Sequence, residues 1–261
     1  MTRRDTPTWL ETGLQHDRSV MLIVLVAIPL ASWTWIVLMA RDMYGSMQGA
    51  SAWMMTPMWS WPDILLLWAM WAVMMTAMML PTAAPLLVMY AAAARRQPGA
   101  GDVASRIYAL AAGYLFIWSM FSVGATALQR ILSNALVLTP MMEPATPTGG
   151  AVVLAVAGLY QLTPLKRACL RACRSPLGFM LQRSWTGVAG AFRLGVMHGT
   201  HCLGCCWAMM LILFAGGVMN LTVIIALTFW VIVEKFAPFG ERTPMISGVA
   251  LLALSAWMVF R

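Results

Sequence analysis

The segment His198-Gly-Thr-His201-Cys202-Leu-Gly-Cys205-Cys206-Trp207 gathers two imidazoles and three thiols. The chain has only 3 His and 5 Cys in all, so this is a strong concentration. A helix turns about 100° per residue, which places His198, His201, Cys202, Cys205, Cys206 and Met209 within an arc of about 140°. Trp207 points to the opposite side. Thiolate, thioether and imidazole are soft or borderline donors, the ligand types that suit Cu(I) and zinc. A single Cys or His on an apolar helix reads as packing. So many on one face read as a metal site, with further ligands expected from facing helices.

Those ligands have a candidate source. Met70, Met74 and Met78 repeat every four residues, with Met75 and Met79 beside them and Thr76 and Pro81 nearby. The stripe reads equally as core packing or as thioether donors to the Cys/His face. Met43, Met47, Met54, Met55, Met58, Met141 and Met142 fall outside the apolar runs, where they are either neutral filler or a capture surface for Cu(I). Cys169 and Cys173, at i and i+4 among several Arg residues, form a possible cytoplasmic thiol site: a Cu(I) exit point, a redox pair, or incidental thiols in a basic anchor. Glu234 with Lys235 reads first as an interfacial ion pair, and second as a proton acceptor or a group that supports ligands from behind.

These residues need a scaffold, and the composition identifies it. Of 261 residues 61% are hydrophobic and 10% charged, too few charges to cover the surface of a soluble domain. That excludes an ordinary cytosolic enzyme and a disordered chain. Five Cys, none in a long polar loop, exclude a secreted disulfide framework. The expected fold is all-α, a polytopic transmembrane helical bundle. Apolar runs lie near residues 20–40, 64–94, 107–128, 151–165, 188–214, 218–237 and 245–260. They predict about seven spans, or six, with the second kinked at Pro81 and Pro85. Residues 1–19 form a cytoplasmic tail and 20–261 a single transmembrane domain. The first apolar run is longer than a signal-peptide core and reads as a retained helix.

The net charge of +8 fits sidedness better than nucleic-acid binding. With the N-terminus inside, the inner segments hold most of the 17 basic residues: Arg3, Arg4, Arg18, Arg95, Arg96, Arg106, Lys166, Arg167, Arg171, Arg174, Arg183, Lys235 and Arg242. This predicts a bacterial inner membrane protein with its C-terminus in the periplasm. Trp53, Trp59 and Trp61 read as an interfacial belt that accounts for part of the 13 Trp. There is no nucleotide-binding motif, so an ATP-driven pump within this chain is excluded.

Three motifs together carry a family likeness: Ala-Met-Met-Leu-Pro-Thr-Ala-Ala-Pro at 77–85, Tyr160-Gln-Leu-Thr-Pro-Leu-Lys166 with Cys169 and Cys173, and Gly199-Thr-His-Cys-Leu-Gly-Cys-Cys-Trp207. They resemble the DUF2182 family from the second helix onward. The resemblance implies a metal-binding integral membrane protein and supplies no reaction. Ligand softness makes copper the expected metal, with zinc or heme as alternatives. The expected role is Cu(I) transfer or cuproprotein assembly, with a copper chaperone or cuproprotein as partner besides the lipid bilayer. The alternative is a membrane oxidoreductase using metal, heme or a thiol pair.

Overall fold

The computed structural model describes residues 18–45, 60–96, 102–139, 141–175, 178, 180, 185–237 and 242–260. Helices dominate these residues, and the one β-type pairing is an isolated bridge between Leu138 and Pro144. The all-α expectation holds.

Helix α1 runs Arg18–Met43. Pro29 lacks the N–H that would bond to the carbonyl of Leu25, and the preceding turn, Ile23–Ala27, widens to π geometry. Helix α2, Trp61–Met79, starts from a capping box in which Ser60 and Asp63 bond reciprocally. Its regular winding stops at a 3-10 turn, Leu80–Ala83, and resumes as α3, Ala84–Arg95. Pro81 and Pro85 each remove a helical donor, so the expected break lies where the sequence put it. Helix α4 is Val103–Asn134, α5 is Pro147–Gln161 and α6 is Pro164–Arg174. Helix α7 is Gly187–Gly216, α8 is Leu221–Phe236 and α9 is Arg242–Phe260.

Five of these units are long and apolar enough to cross a membrane: α1, the broken α2–α3 unit, α4, α7 and α9. Helices α5 and α6 bend by 67° at Leu162–Thr163 and count as a sixth span if taken together. Thr163 caps α6 and Pro164 occupies its first turn, which enforces the bend. The sixth expected span, α8, has only 16 residues, short of the roughly 20 needed for a straight crossing. By length and hydropathy the described residues therefore hold five to six candidate spans, against an expectation of about seven or six.

Helix α7 lies at the centre, against α4, α5, α6 and α8. Its contact with α4 is very close. A methyl group on Gly195 would lie 2.1 Å from the Leu110 carbonyl oxygen, and one on Gly113 would lie 2.2 Å from that of Phe192. Lipid supplies no hydrophobic drive between helices, so small residues at a crossing gain their stability from backbone proximity. Helices α5 and α9 use the same device where Gly158 meets Gly248.

Candidate thiol site

The crossing of α4 and α7 builds the site. Gly195 and Gly199 let the backbone of Tyr114 lie directly on α7. From there the Tyr114 ring stands 5.8 Å from the His198 ring, and its hydroxyl lies 3.0 Å from Cys202 Sγ. The same hydroxyl donates to the Met79 carbonyl at 2.9 Å. Met79 is the last residue of α2 before the proline break, and Thr82 Oγ1 also donates to its carbonyl, at 2.7 Å. The break thus sets Thr82 beside Tyr114.

Lys235, from the end of α8, completes the group. Its ammonium donates to Thr82 Oγ1 at 2.7 Å and to Cys202 Sγ at 3.0 Å. Cys202 is fully buried, between a phenol and a cation. Cys205 Sγ bonds to the Cys202 carbonyl at 3.1 Å and lies 3.2 Å from Cys206 Sγ. Cys173 arrives from α6, and its thiol interacts with both Cys202 and Cys205. All five cysteines are free thiols.

A second polar group lies behind the thiols. Glu234 does not pair with its neighbour Lys235, as the sequence reading favoured; it pairs with Lys166 at 2.6 Å, both side chains essentially inaccessible. Successive residues of a helix point about 100° apart, so Glu234 and Lys235 serve opposite groups. Gln161 Nε2 (2.6 Å), Ser247 Oγ (2.9 Å) and Trp230 Nε1 (3.2 Å) also donate to the Glu234 carboxylate. Lys166 reaches on to the Cys205 carbonyl. A buried carboxylate is tolerable only when its charge and lone pairs are satisfied in this way. Arg174 donates to the Glu234 carbonyl and ties α6 to α8.

The expected ligands divide. His198, Cys202, Cys205 and Cys206 are all buried at the α7 centre. Met209 accepts from Gln161 Nε2 at 3.1 Å, on the side of the Glu234 group. His201 is half-buried and turns Nδ1 to the Met197 carbonyl, 2.8 Å away on its own helix. Cys169 and Cys173 occupy different places. Cys169 seats against Gly204, where an added methyl would lie 2.8 Å from its sulfur, while Cys173 joins the α7 thiols.

Met70, Met74 and Met78 are completely buried. Between α2 and α7 the Trp71 ring lies 5.2 Å from that of Phe214. Met74, Met75 and Met78 follow Trp71 at helical spacing toward the proline break. Among the outer methionines, Met43 and Met142 are buried and Met141 is half-buried, so the buried pair belongs to packing. Met47, Met54, Met55 and Met58 lie outside the described residues, as do Trp53 and Trp59.

Among the described residues, no group of three or more His, Cys, Asp and Glu is arranged to hold a metal ion. Cys173, Cys202, Cys205 and Cys206 nonetheless lie together as one group of thiols.

Sequence reasoning missed Tyr114, Thr82, Gln161 and the burial of both lysines. A signal was present. The chain has 17 basic residues and only two are Lys, Lys166 and Lys235. Arg serves the interfaces, while a compact ammonium on a flexible stem suits a buried point charge.

Comparison with known proteins adds one finding. A family model named PpoB2 and described as a copper chaperone matches residues 68–258. No curated protein and no solved structure matches the chain.

Proposed function

The chain belongs to the PpoB2 family of copper chaperones, and from that premise we propose that it is an inner-membrane protein binding Cu(I) through an intramembrane Cys/His/Met site. Its role in this reading is copper transfer or cuproprotein assembly. The DUF2182 likeness, residues 20–261 as one transmembrane unit, an inner tail of residues 1–19 and a periplasmic C-terminus belong to the same reading, in which the α5–α6 unit and the short α8 each cross as well. The ligands are Cys202 and Cys205, with Cys206, Cys173 and His198 adjoining. Met70, Met74 and Met78 supply neutral thioethers along the approach. The family description favours copper over zinc or heme.

The observation that carries this reading is Cys202, fully buried between the Tyr114 hydroxyl and the Lys235 ammonium. Cu(I) bound by two thiolates has a net charge of −1, costly in a dry interior. Lys235, 3.0 Å from Cys202 Sγ, balances it to zero. Lys166 and Glu234 balance each other and add no net charge. The site is therefore electrically suited to a monovalent soft cation on two thiols. A divalent ion on the same pair would leave a surplus positive charge.

The test is Cu(I) titration of protein purified from copper-depleted cells, with a chelator of known affinity as competitor. A single Cu(I) per chain is expected, and it should be lost in the Cys202→Ser, Cys205→Ser double variant. Undiminished retention in that variant would overturn the site.

A further inference from the structure

A cavity of about 330 Å³ opens at the end of the bundle where α6 and α8 finish. Thr82, Pro85, Leu86 and Met89 form one wall, and Cys173, Arg174, Ser175, His198, Lys235 and Phe236 form the other. Ser175 at its mouth is exposed, while Lys235 and His198 at its floor are buried. Cys173 belongs to both spaces: it lines the cavity, and its thiol interacts with Cys202 and Cys205 behind it.

The charge of the lining is one-sided. Arg174 and Lys235 are cationic, and among the described residues no carboxylate lines the cavity. Glu234 directs its side chain to Lys166, away from this space. A cleft lined by one sign concentrates ligands of the other sign and repels its own. A bare copper cation is therefore disfavoured at this mouth. The thiol group behind it is nonetheless suited to Cu(I), and an anionic complex of the metal is the form this mouth favours.

We propose that this cavity is an exchange site for a small anionic thiol, which carries Cu(I) as a bis-thiolate complex and trades it with Cys173. The proposal rests on the thiol group being the Cu(I) site. In the exchange, the bond between copper and one carrier sulfur breaks and a bond to Cys173 Sγ forms. The proton of the Cys173 thiol passes to the departing carrier thiolate, which leaves as neutral thiol. Copper stays Cu(I), and nothing is oxidised or reduced. The apolar wall of Pro85, Leu86 and Phe236 accommodates the carrier's backbone, and Arg174 and Lys235 attract its charge. In a second exchange the bonds from copper to Cys173 Sγ and to the remaining carrier sulfur break as bonds to Cys202 Sγ and Cys205 Sγ form; the two thiol protons pass to Cys173 and to the departing carrier, and copper stays Cu(I).

The test uses the full chain in uncharged detergent. Cu(I) is supplied at one free concentration as its complex with glutathione (anionic), 2-mercaptoethanol (neutral) or cysteamine (cationic), and its arrival on the protein is timed by rapid desalting. Transfer from glutathione should be about ten-fold faster than from cysteamine, with the gap narrowing in high salt. Met89→Glu halves the net positive charge of the lining and should narrow that gap while leaving transfer from neutral 2-mercaptoethanol unchanged, a selective change that damage to folding would not produce. Cys173→Ser should slow delivery from all three carriers. Equal rates from the three carriers, or an unchanged rate in Cys173→Ser, would overturn the exchange site. Copper content at saturation is read separately: a chain that holds no Cu(I) overturns the thiol site as well, whereas full loading indifferent to carrier charge overturns the cavity assignment alone.

Discussion

At the scale of single residues, the decisive groups are two ammonium ions that serve different purposes. Lys166 satisfies a buried carboxylate; Lys235 lies against sulfur. Glu234→Gln would leave Lys166 buried without a counter-charge, which typically costs about 3–5 kcal/mol. The variant should melt well below the wild type in detergent, and Lys166→Met combined with Glu234→Gln should recover part of the loss. A double variant as unstable as the single would refute the pairing argument. Lys235→Met should act on copper more than on folding, weakening Cu(I) retention by about 10–100-fold, as removal of groups that support metal ligands does. Lys235→Arg should not restore it, because a planar fork does not fit where a point charge sits between Thr82 and Cys202. Full retention by Lys235→Arg in the chelator competition would argue that only charge matters. The Cys/His face could be seen in the sequence because its spacing is local to one helix. The two lysines could not be placed, because each reaches its partner from another helix: Lys235 from α8 to α7, Lys166 from α6 to α8.

At the scale of elements, a backbone break and a glycine contact hold the site. The 3-10 turn Leu80–Ala83 brings Thr82 within hydrogen-bond range of both Lys235 and Tyr114. Pro81→Ala restores one helical donor and should favour regular winding through the turn, moving Thr82. The expected result is weaker Cu(I) retention with little loss of helicity by circular dichroism; unchanged retention would show that the turn is only a kink. Gly195→Val sets branched carbons against the Leu110 backbone, which cannot yield as a side chain could. Overpacking commonly costs about 1–3 kcal/mol, and a backbone clash should reach the upper part of that range. Thermal unfolding in detergent reads it, and a neutral result would contradict the α4–α7 crossing. The prolines made the break legible in advance. The crossing was not legible, because glycines in an apolar run look alike until a partner helix is known. The length of α8 was also misjudged: apolar residues continue through Asn220 and beyond Phe236, but Asn220 caps the helix at one end and it stops at Phe236 at the other.

At the scale of the whole molecule, the arrangement is asymmetric along its long axis. The ends of α3, α6 and α8 carry Arg95, Arg174 and Lys235, and the last two line the cavity. In the proposed orientation that end faces the cytoplasm. Reporter fusions placed after Arg174 should therefore report a cytoplasmic location, and fusions after Asn134 a periplasmic one. The reverse pattern would turn the molecule over and put the thiol exchange on the other face. Placing both lysines inside the bundle has a practical consequence as well. Lys166 is 0% exposed and Lys235 6%, the latter reached through the cavity. Amine-acylating reagents too bulky for the cavity should then modify the native protein at its N-terminus alone. Acylation at Lys235 becomes a clock for how often the end of α8 lifts away from Thr82 and Cys202, and bound copper should slow that clock.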